Sequence, residues 1–326
     1  MVADSVLTII RLLADGKVHS GEELGEILGV SRTAVWKQLK KLENIGLSLN
    51  IVKGKGYQLE RGIELLEADE IQRNLTDEVA NLVLELDLHR SIGSTNSHAI
   101  SRANSGDSHG YICLAEHQSE GRGRHGRRWI SPFARNVYLS IVWEYDGGAA
   151  VLEGLSLAVG VAIVQALSEN GIEGVQLKWP NDLLWKGKKL AGVLLEMTGD
   201  AAGRCKVIVG IGLNVGMLSQ EASEVDQAWV GLSSINDGVS RNKLVSSLLN
   251  NLLPLLDDYD EKGFAPLRDA WESLDYFREN EVEIRSGEQI TVGKVCGVTD
   301  SGALRLQNRS GEQLIFGGEA SLRRPS

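Results

Sequence analysis

Residues 121–129 read Gly-Arg-Gly-Arg-His-Gly-Arg-Arg-Trp, and this segment limits the possible folds and functions of the chain most sharply. Its three glycines let the backbone bend closely around a ligand and expose N–H groups to it. Its four arginines repel one another unless an anion joins them, and forked guanidinium groups suit phosphate and carboxylate oxygens. The segment predicts either a loop that orders over an acyl-phosphate or nucleotide, or a basic loop that touches nucleic acid without specificity.

The same glycines formally fit G-x-G-x-x-G, the fingerprint of a dinucleotide-binding fold. That fold requires a helix immediately after the glycines. Here Arg128-Trp129-Ile130-Ser131-Pro132 follows instead, and a strand pattern comes next. The sequence therefore argues against a dinucleotide-binding fold.

Three further segments favour a site for an anionic, closely held ligand. Lys178-Trp179-Pro180-Asn181-Asp182 places a cation, a turn and a carboxylate at the end of a strand. Lys188-Lys189-Leu190-Ala191-Gly192 begins the next strand, so the two segments predict a hairpin. The glycines of Gly210-Ile211-Gly212-Leu213-Asn214-Val215-Gly216 predict room for a flat ligand against a strand. A turn, a solvated lysine pair and a packed strand would explain each segment alone, but together they favour one site.

The first 65 residues have the pattern of a winged helix-turn-helix. An apolar helical face from Val6 to Leu13 precedes a short helix over 22–28, and Gly29-Val30-Ser31 forms the turn. Ser31 caps a third helix that directs Val35, Leu39 and Leu42 inward. After Gly46, alternating residues 47–51 and 57–59 flank Gly54-Lys55-Gly56 and predict a two-stranded wing.

The charge distribution of this unit favours nucleic acid. The whole chain has a net charge of −10, but residues 32–55 contain six basic residues and one acid. The candidate DNA-binding residues are Ser31, Arg32, Thr33, Trp36, Lys37, Lys40, Lys53 and Lys55. The alternative is a small accessory domain whose lysines only face water.

We expect an α+β fold of three domains, at residues 1–65, 66–274 and 275–326. The central unit mixes strands and helices. Predicted strands are 85–88, 111–116, 137–143, 175–179, 191–197 and 206–214, and predicted helices are 95–104, 154–170 and 241–260. The last unit predicts strands at 282–285, 289–295, 303–307 and 312–316 with Ser-Gly turns, as in a small SH3-like barrel. This last unit is either an interaction module or a cap that only stabilises the protein.

Composition indicates a cytoplasmic protein without membrane spans. The most apolar stretch, 152–167, is interrupted by Glu153, Ser156 and Gln165, and the N-terminus lacks the pattern of a signal peptide. The three cysteines lie far apart, which offers neither a metal pair nor a disulfide framework. We expect buried thiols in a reducing compartment and no protein-bound metal site.

Together these motifs resemble the bifunctional biotin–protein ligases that also repress the biotin operon. The matching segments span the whole chain: Ser94-Thr95-Asn96, Gln118 with the glycine–arginine loop, 178–182, 189–192, 210–214, Gly317-Gly318-Glu319 and Ser321-Leu322-Arg323. Lipoyl ligases and octanoyl transferases share the fold but not the glycine–arginine loop. The resemblance implies a catalytic domain like that of class II synthetases between the winged helix and the barrel.

By resemblance, the reaction has two steps. Biotin and Mg²⁺-bound ATP give biotinyl-5′-AMP, and a lysine of a carboxylase's biotin carrier domain then takes the biotin. The adenylate would also act as corepressor, so that the protein dimerises and binds operator DNA. The resemblance places the dimer surface at a sheet edge near 204–209.

The resemblance also implies roles for individual residues. Arg124 and Lys189 would be catalytic, bridging the biotin carboxylate and the α-phosphate. The biotin-binding set is Ser94, Thr95, Asn96, Gln118, Arg122, Gly123, Arg124, Trp129, Lys189, Gly192, Gly210 and Gly212. The nucleotide-binding set is Arg124, Lys178, Asp182, Lys189, Asn214 and Trp229, with Trp229 stacking on adenine after a loop over 215–228 orders. Arg323 would contact ATP or the carrier domain, and no Mg²⁺ ligand is assigned.

Two positions depart from the family pattern, and two other functions stay open. Gly93 stands where Asp is frequent, and His125 stands where a further Arg is common. One alternative is a repressor that senses biotin or its adenylate without making it. The other is a ligase for lipoate or octanoate on the same fold.

Overall fold

A computed structural model describes residues 4–43, 47, 49–59, 62–200, 202–286, 289–317 and 321–323. The predicted turn glycines Gly46 and Gly287, the matching residues Gly318 and Glu319, and the side chain of Arg323 lie outside this description.

The N-terminal unit is a winged helix-turn-helix, as predicted. Its elements are α1 (Asp4–Leu13), α2 (Gly21–Leu28), α3 (Arg32–Glu43), β1 (Leu49–Val52) and β2 (Gly56–Leu59). The Ser20 hydroxyl and the Glu23 carboxylate cap α2 reciprocally. Gly29 ends α2 with φ of 65°, a conformation that glycine adopts without strain. The Ala34 amide donates to Ser31 Oγ at 3.3 Å, which starts the third helix.

The hydrophobic core of the N-terminal unit includes residues from the central unit. Val35, Leu39 and Leu42 are buried, as predicted, against α1 and α2. Two residues from the central unit, Phe133 and Ala134, belong to the same hydrophobic cluster. The segment just after the glycine–arginine loop is therefore packed into the core of the winged helix.

The central unit is a seven-stranded sheet with helices around it. Its strands are β3 (Glu85–His89), β4 (Tyr111–Ala115), β5 (Val137–Tyr145), β6 (Val175–Lys178), β7 (Asp182–Trp185), β8 (Lys188–Gly199) and β9 (Cys205–Leu213). Its helices are α4 (Ala68–Arg73), α5 (Asp77–Leu82), α6 (Thr95–Asn104), α7 (Leu155–Glu169), α8 (Arg241–Asp257), α9 (Tyr259–Lys262) and α10 (Arg268–Leu274). The strand order is β3-β4-β5-β9-β8-β7-β6, and only the β3–β4 pair is parallel.

The structure confirms the six strands and three helices predicted here, with shifted ends, and adds a strand, β7, that was not predicted. The predicted helix over 241–260 divides into α8 and α9 around Asp258, and α4, α5 and α10 were not predicted because each is only one or two turns long. The expected sheet edge near 204–209 is wrong, since β9 pairs with β5 on one side and β8 on the other. The edge strands are β3 and β6.

Helix α7 belongs to the core of the central unit. Together with the preceding 3₁₀ turn it forms a stretch, Gly148–Glu169, whose length and apolar composition would suit a membrane span. Nine of the fifteen residues of α7 are buried, however, and α7 packs against α8. Burial inside the protein explains its apolar sequence.

The C-terminal unit is a five-stranded antiparallel sheet, in keeping with a small barrel. Its strands are β10 (Glu281–Ser286), β11 (Gln289–Val298), β12 (Leu304–Asn308), β13 (Gly311–Ile315) and β14 (Ser321–Arg323). Their order is β13-β12-β11-β10-β14. The indole nitrogen of Trp179 donates to the Gly302 carbonyl at 3.1 Å, so this unit is attached to the central unit beside Asp182.

A buried ion pair holds the junction between the first two units. Glu116 is fully buried, and Arg241, at the start of α8, donates to its Oε2 at 2.7 Å. Glu116 Oε1 accepts from the Leu66 amide at 2.6 Å, and Arg241 also donates to the Glu64 carbonyl at 2.5 Å. The chain leaving the winged helix is thereby fixed to the central sheet, because each buried charge is paired and hydrogen-bonded.

Candidate active site

A single cavity of about 310 Å³ collects every residue that the sequence assigned to biotin or nucleotide. It lies over β8 and β9, beneath the glycine–arginine loop and beside the first turn of α6. The lining residues from the biotin set are Ser94, Thr95, Asn96, Gln118, Arg122, Gly123, Arg124, Trp129, Lys189, Gly192, Gly210 and Gly212. Those from the nucleotide set alone are Lys178, Asp182, Asn214 and Trp229.

The glycine–arginine segment forms an irregular loop. A short 3₁₀ turn, Arg124–Gly126, follows the first glycines, and no α-helix begins there, which confirms the argument against a dinucleotide-binding fold. His125 has φ of 57° and Gly126 has φ of 70°, so two successive residues turn left-handed. The Gly123 amide donates to the Arg127 carbonyl at 2.8 Å and closes the loop.

One end of the cavity is neutral, polar and buried. Ser94 caps α6, and both the amide and the hydroxyl of Thr95 donate to Gln118 Oε1, at 2.8 and 3.1 Å. The Gln118 amide group donates to Ser131 Oγ at 3.0 Å. Such a network presents fixed donors and acceptors without net charge, which suits an uncharged amide-like or urea-like ring.

Two side chains lie close over the glycines of β9, where the sequence predicts room for a flat ligand. A Cβ atom on Gly210 would lie 2.1 Å from Asn96 Oδ1, and one on Gly212 would lie 2.4 Å from Trp129 Cε2. The glycines therefore admit Asn96 and Trp129 close to the strand, and both the glycines and these two side chains line the cavity.

Asn96 and Trp129 differ in how their polar atoms are satisfied. Asn96 Oδ1 accepts from Ser140 Oγ at 2.6 Å, and its amide donates to Glu196 Oε2 at 2.9 Å. The Trp129 indole N–H is buried and has no hydrogen-bond partner among the described residues. An unpaired buried donor costs roughly 1–3 kcal/mol, so a polar ligand that accepts from it gains stability.

The other end of the cavity is cationic. Lys189 Nζ lies 2.7 Å from Asp182 Oδ1, and Lys178 Nζ lies 3.9 Å from Asp182 Oδ2. The Lys189 ammonium also lies 5.4 Å from the centre of the Trp129 ring. Two lysines against one carboxylate leave a net positive charge. The sequence predicted one hairpin between the strand ending at 179 and the strand beginning at 188, but β7 lies between these strands and pairs with both.

Arg124 extends this positive end. Its guanidinium donates to Asn181 Oδ1 at 2.9 Å, and the Asn181 amide group donates to the Val193 carbonyl at 2.7 Å. Burial lowers the pKa of Arg124, although the Asp182 charge opposes this effect. The guanidinium still carries its proton at neutral pH, because an arginine pKa starts above 12. A partly desolvated cation held in one orientation is suited to binding an anion.

Arg122 directs its side chain elsewhere. Its guanidinium donates to Glu196 Oε1 at 2.7 Å and to Ser97 Oγ at 3.3 Å. Because these bonds occupy the guanidinium, the rest of Arg122 is left to contact a ligand in the cavity. This is in keeping with the backbone role that the resemblance implied for Arg122 and Gly123.

The segment before Trp229 is anchored on both sides of the cavity. The Lys189 amide donates to the Ala228 carbonyl and the Val230 amide donates to the Lys189 carbonyl, each at 2.9 Å. Arg135 and Glu221, both nearly fully buried, form an ion pair at 3.1 Å. Trp229 therefore already stands in the cavity wall, and the segment that was expected to order with ligand has defined turns in this structure.

Every candidate DNA-binding residue is exposed, and together they lie on α3, its N-cap and the wing. Ser31, Arg32, Thr33, Trp36, Lys37 and Lys40 share the outer face of α3, and Lys53 and Lys55 lie in the β1–β2 turn. Lys40 Nζ stacks 4.1 Å from the centre of the Trp36 ring. An exposed basic face on the second helix of a helix-turn-helix is suited to the major groove.

Comparison with known proteins now identifies the family. Residues 88–214 match the biotin/lipoate A/B protein ligase family, residues 6–58 match an HTH domain, and residues 279–323 match the biotin protein ligase C-terminal domain. The bifunctional ligase/repressor BirA of Salmonella typhimurium is 39% identical over 321 residues, which cover 97% of each chain. The chain belongs to the bifunctional biotin–protein ligase/repressor family.

Other members agree with this assignment. BirA of Bacillus subtilis is 31% identical over 311 residues, which cover 95% of each chain. The biotin protein ligase from Aquifex aeolicus, solved in complex with biotin and ATP, has a TM-score of 0.64 and 29% identity. It covers 74% of this chain and all of its own. The fold of a three-unit biotin–protein ligase, expected from the sequence, is confirmed.

Several residues of this ligase site were missed at the level of sequence. Asn181 orients Arg124, Glu196 holds both Asn96 and Arg122, and Ser131 and Ser140 complete the neutral network. Asn181 belongs to the quoted 178–182 motif, so its type and position were visible. Glu196 and Ser140 lie on strands and reach Asn96 only through the pairing of the sheet, and Ser131 lies in the loop after Trp129, so none of the three carries a local signal.

The cavity fits Mg²⁺ only together with phosphate. Its carboxylates among the described residues are Asp182, Glu224 and Asp226, and Asp182 is paired with two lysines. Glu224 pairs with Arg128 at 2.9 Å. Mg²⁺ in nucleotide sites is held by one or two carboxylates and by the phosphates themselves. This ligase therefore offers at most a partial set of protein ligands.

Proposed function

We propose that the chain is an ATP-dependent biotin–protein ligase that makes biotinyl-5′-AMP and transfers biotin to a carrier lysine. The observation that carries this proposal is the polarity of the cavity. A neutral network around Thr95 and Gln118 lies at one end, and Arg124, Lys178 and Lys189 lie at the other. Biotin has the same polarity, with a neutral urea ring at one end and a carboxylate at the other.

In the first half-reaction, a carboxylate oxygen of biotin attacks the α-phosphorus of ATP. A new P–O bond forms, the bond to the bridging oxygen breaks, and pyrophosphate leaves. Arg124 and Lys189 hold two anions together and neutralise the charge that develops on the α-phosphate. Mg²⁺ would neutralise the phosphates, with Asp182 or Asn214 nearby as oxygen ligands.

In the second half-reaction, the neutral amine of a carrier lysine attacks the acyl carbon. An amide bond forms, AMP leaves, and the amine gives up its proton. Trp129 and Trp229 flank the cavity. We propose that they exclude water, because the mixed anhydride would otherwise hydrolyse.

We propose that the same protein represses transcription when the adenylate is bound. The exposed basic face of α3 and the lysines of the wing support operator binding. We further propose that the adenylate-bound form is a homodimer, because a dimer of helix-turn-helix units reads two half-sites. Free, largely buried cysteines are in keeping with work in the cytoplasm, which we propose as its location.

We propose that the three functional units meet near residues 65 and 274. Leu65 packs with the winged helix, while Leu66 belongs to the central core. The C-terminal unit brings Leu322 to the cavity wall and receives the Trp179 hydrogen bond. These contacts support a role for it in closing the nucleotide end, with Arg323 as a candidate contact.

The decisive experiment is ATP–pyrophosphate exchange with biotin, lipoate, octanoate or no acid. Exchange that requires biotin is the expected result. Exchange with lipoate or octanoate instead would assign a different substrate to this cavity. No exchange from the folded protein with Mg²⁺ would favour a sensor that has lost its chemistry.

A matched pair of variants tests the site assignment. Arg124→Ala should slow adenylate synthesis by about 10²–10³ and speed adenylate release, because one charged donor is lost. Arg73→Ala removes an exposed arginine on α4 and should change neither. Unchanged yield and release in Arg124→Ala would remove Arg124 from the catalytic machinery.

A further inference from the structure

Two histidines and an aspartate meet on the edge of the central sheet, outside the ligase cavity. Asp87 and His89 lie two residues apart on β3, so their side chains leave the same face of the sheet. His98 faces them from α6. His89 Nε2 lies 2.8 Å and His98 Nε2 lies 3.4 Å from Asp87 Oδ2.

The spacing of these donor atoms suits a small divalent ion. One ligand atom from each residue lies within 4.8 Å of the other two. A tetrahedral Zn²⁺ site with bonds of about 2.0–2.1 Å separates its ligand atoms by roughly 3.4 Å. Two imidazoles with one carboxylate is a donor set for zinc and other late first-row metals rather than for Mg²⁺.

The surroundings of Asp87 resemble the outer shell of a metal site. The Tyr111 hydroxyl, on β4, donates to Asp87 Oδ2 at 2.6 Å, and Tyr111 itself is buried. This bond fixes the orientation of the carboxylate, as outer-shell donors do for metal ligands. The three ligand side chains are each about one-third exposed, so a metal ion and one or more waters can reach them from solvent.

We propose that Asp87, His89 and His98 form a binding site for one Zn²⁺ or a similar late first-row divalent ion, completed by water. The ion would join the edge strand β3 to the first turns of α6, the helix whose N-terminus carries Thr95 and Asn96. The site is separate from the Mg²⁺ and nucleotide chemistry of the cavity, because none of its three ligands lines that cavity.

The first test is direct metal binding by the full chain after treatment with a chelator. Equilibrium dialysis should find one Zn²⁺ per chain, and excess Mg²⁺ should not displace it. Co²⁺ in place of Zn²⁺ should give the visible absorption of a low-symmetry nitrogen and oxygen site. Zn²⁺ should also protect His98 of the unaltered protein from carbethoxylation, as measured by mass spectrometry.

Variants then assign the ligands. His98→Gln and Asp87→Asn should each weaken Zn²⁺ binding by at least tenfold, and Tyr111→Phe should weaken it by about tenfold through the lost outer-shell bond. His19→Gln is the matched control, because His19 also contacts two carboxylates, Asp15 and Glu23, but lies in the winged helix. It should bind Zn²⁺ like the parent.

Two results would overturn the proposal. One is Zn²⁺ affinity that is unchanged in both His98→Gln and Asp87→Asn. The other is carbethoxylation of His98 that is equally fast with and without Zn²⁺, a result that does not depend on how any variant folds.

Discussion

Replacing Lys189 with methionine tests the cationic end of the cavity most directly. Methionine keeps an unbranched apolar side chain of similar length beside Trp129 and removes the ammonium group. The ammonium now lies 2.7 Å from Asp182 Oδ1, while Lys178 lies 3.9 Å from Asp182 Oδ2. The variant therefore leaves Asp182 with Lys178, the more distant of the two lysines. The site must still accept phosphate.

Two effects add in this variant. Loss of a charged donor to the developing phosphate charge costs about 10²–10³ in rate, or ~2.7–4 kcal/mol. The uncompensated Asp182 charge adds repulsion toward the substrate's phosphates. Neutralising that charge in a Lys189→Met/Asp182→Asn double variant should recover roughly tenfold, equivalent to ~1.4 kcal/mol.

Single-turnover formation of biotinyl-5′-AMP measures these rates, and Lys188→Met is the control. Lys188 is the preceding residue on β8 and is exposed, so its loss should leave the rate unchanged. The rate should fall more than the affinity for biotin, because the interaction strengthens in the transition state. A Lys189→Met rate equal to that of Lys188→Met, or a double variant slower than the single one, would refute this reasoning.

Three further predictions follow from other parts of the molecule. Lys37→Ala should weaken operator binding and lower its salt dependence by about one counterion without changing ligation; equal salt slopes would remove Lys37 from the phosphate contacts. Phe133→Ala should destabilise the winged helix by about 3–5 kcal/mol, seen as faster hydrogen exchange in α1 and α3. Unchanged exchange there would contradict the shared core. Burial raises the pKa of Asp275 to about 6, so the folded protein binds a proton that the unfolded chain has lost. Stability from this group therefore falls as pH rises from about 4 to 6, and Asp275→Asn should raise the free energy of unfolding at pH 7 by up to about 3 kcal/mol but not below pH 4. Urea unfolding at both pH values checks this sign.

Features set by short stretches of sequence could be predicted. The turn at Gly29 and the inward positions of α3 depend on residues within one or two helical turns, and the structure has them as expected. The close approach of the 178–182 and 188–192 segments was also expected, and Lys189 does lie beside Asp182, although an unpredicted strand, β7, joins the two segments. In each case the deciding interactions are local, so spacing and residue type carried the information.

Features set by strand order could not be predicted in this way. Nothing near 204–209 reveals that β9 lies between β5 and β8, because strand neighbours are chosen by long-range pairing. For the same reason Glu196 and Ser140 were not assigned to the site, although both bond to Asn96. The glycines of β9 were read correctly as points of close approach, but the approaching groups are Asn96 and Trp129.

The position of Phe133 connects the two activities of this family physically. The arginine loop ends at Trp129, and within four residues the chain enters the core of the winged helix. The next residues are held on the ligase side, where Arg135 pairs with Glu221 at 3.1 Å. A ligand that orders the loop therefore acts on a segment whose far end is part of the DNA-binding core. Any resulting change in operator affinity must be reciprocal, so DNA would retain the adenylate by the same factor.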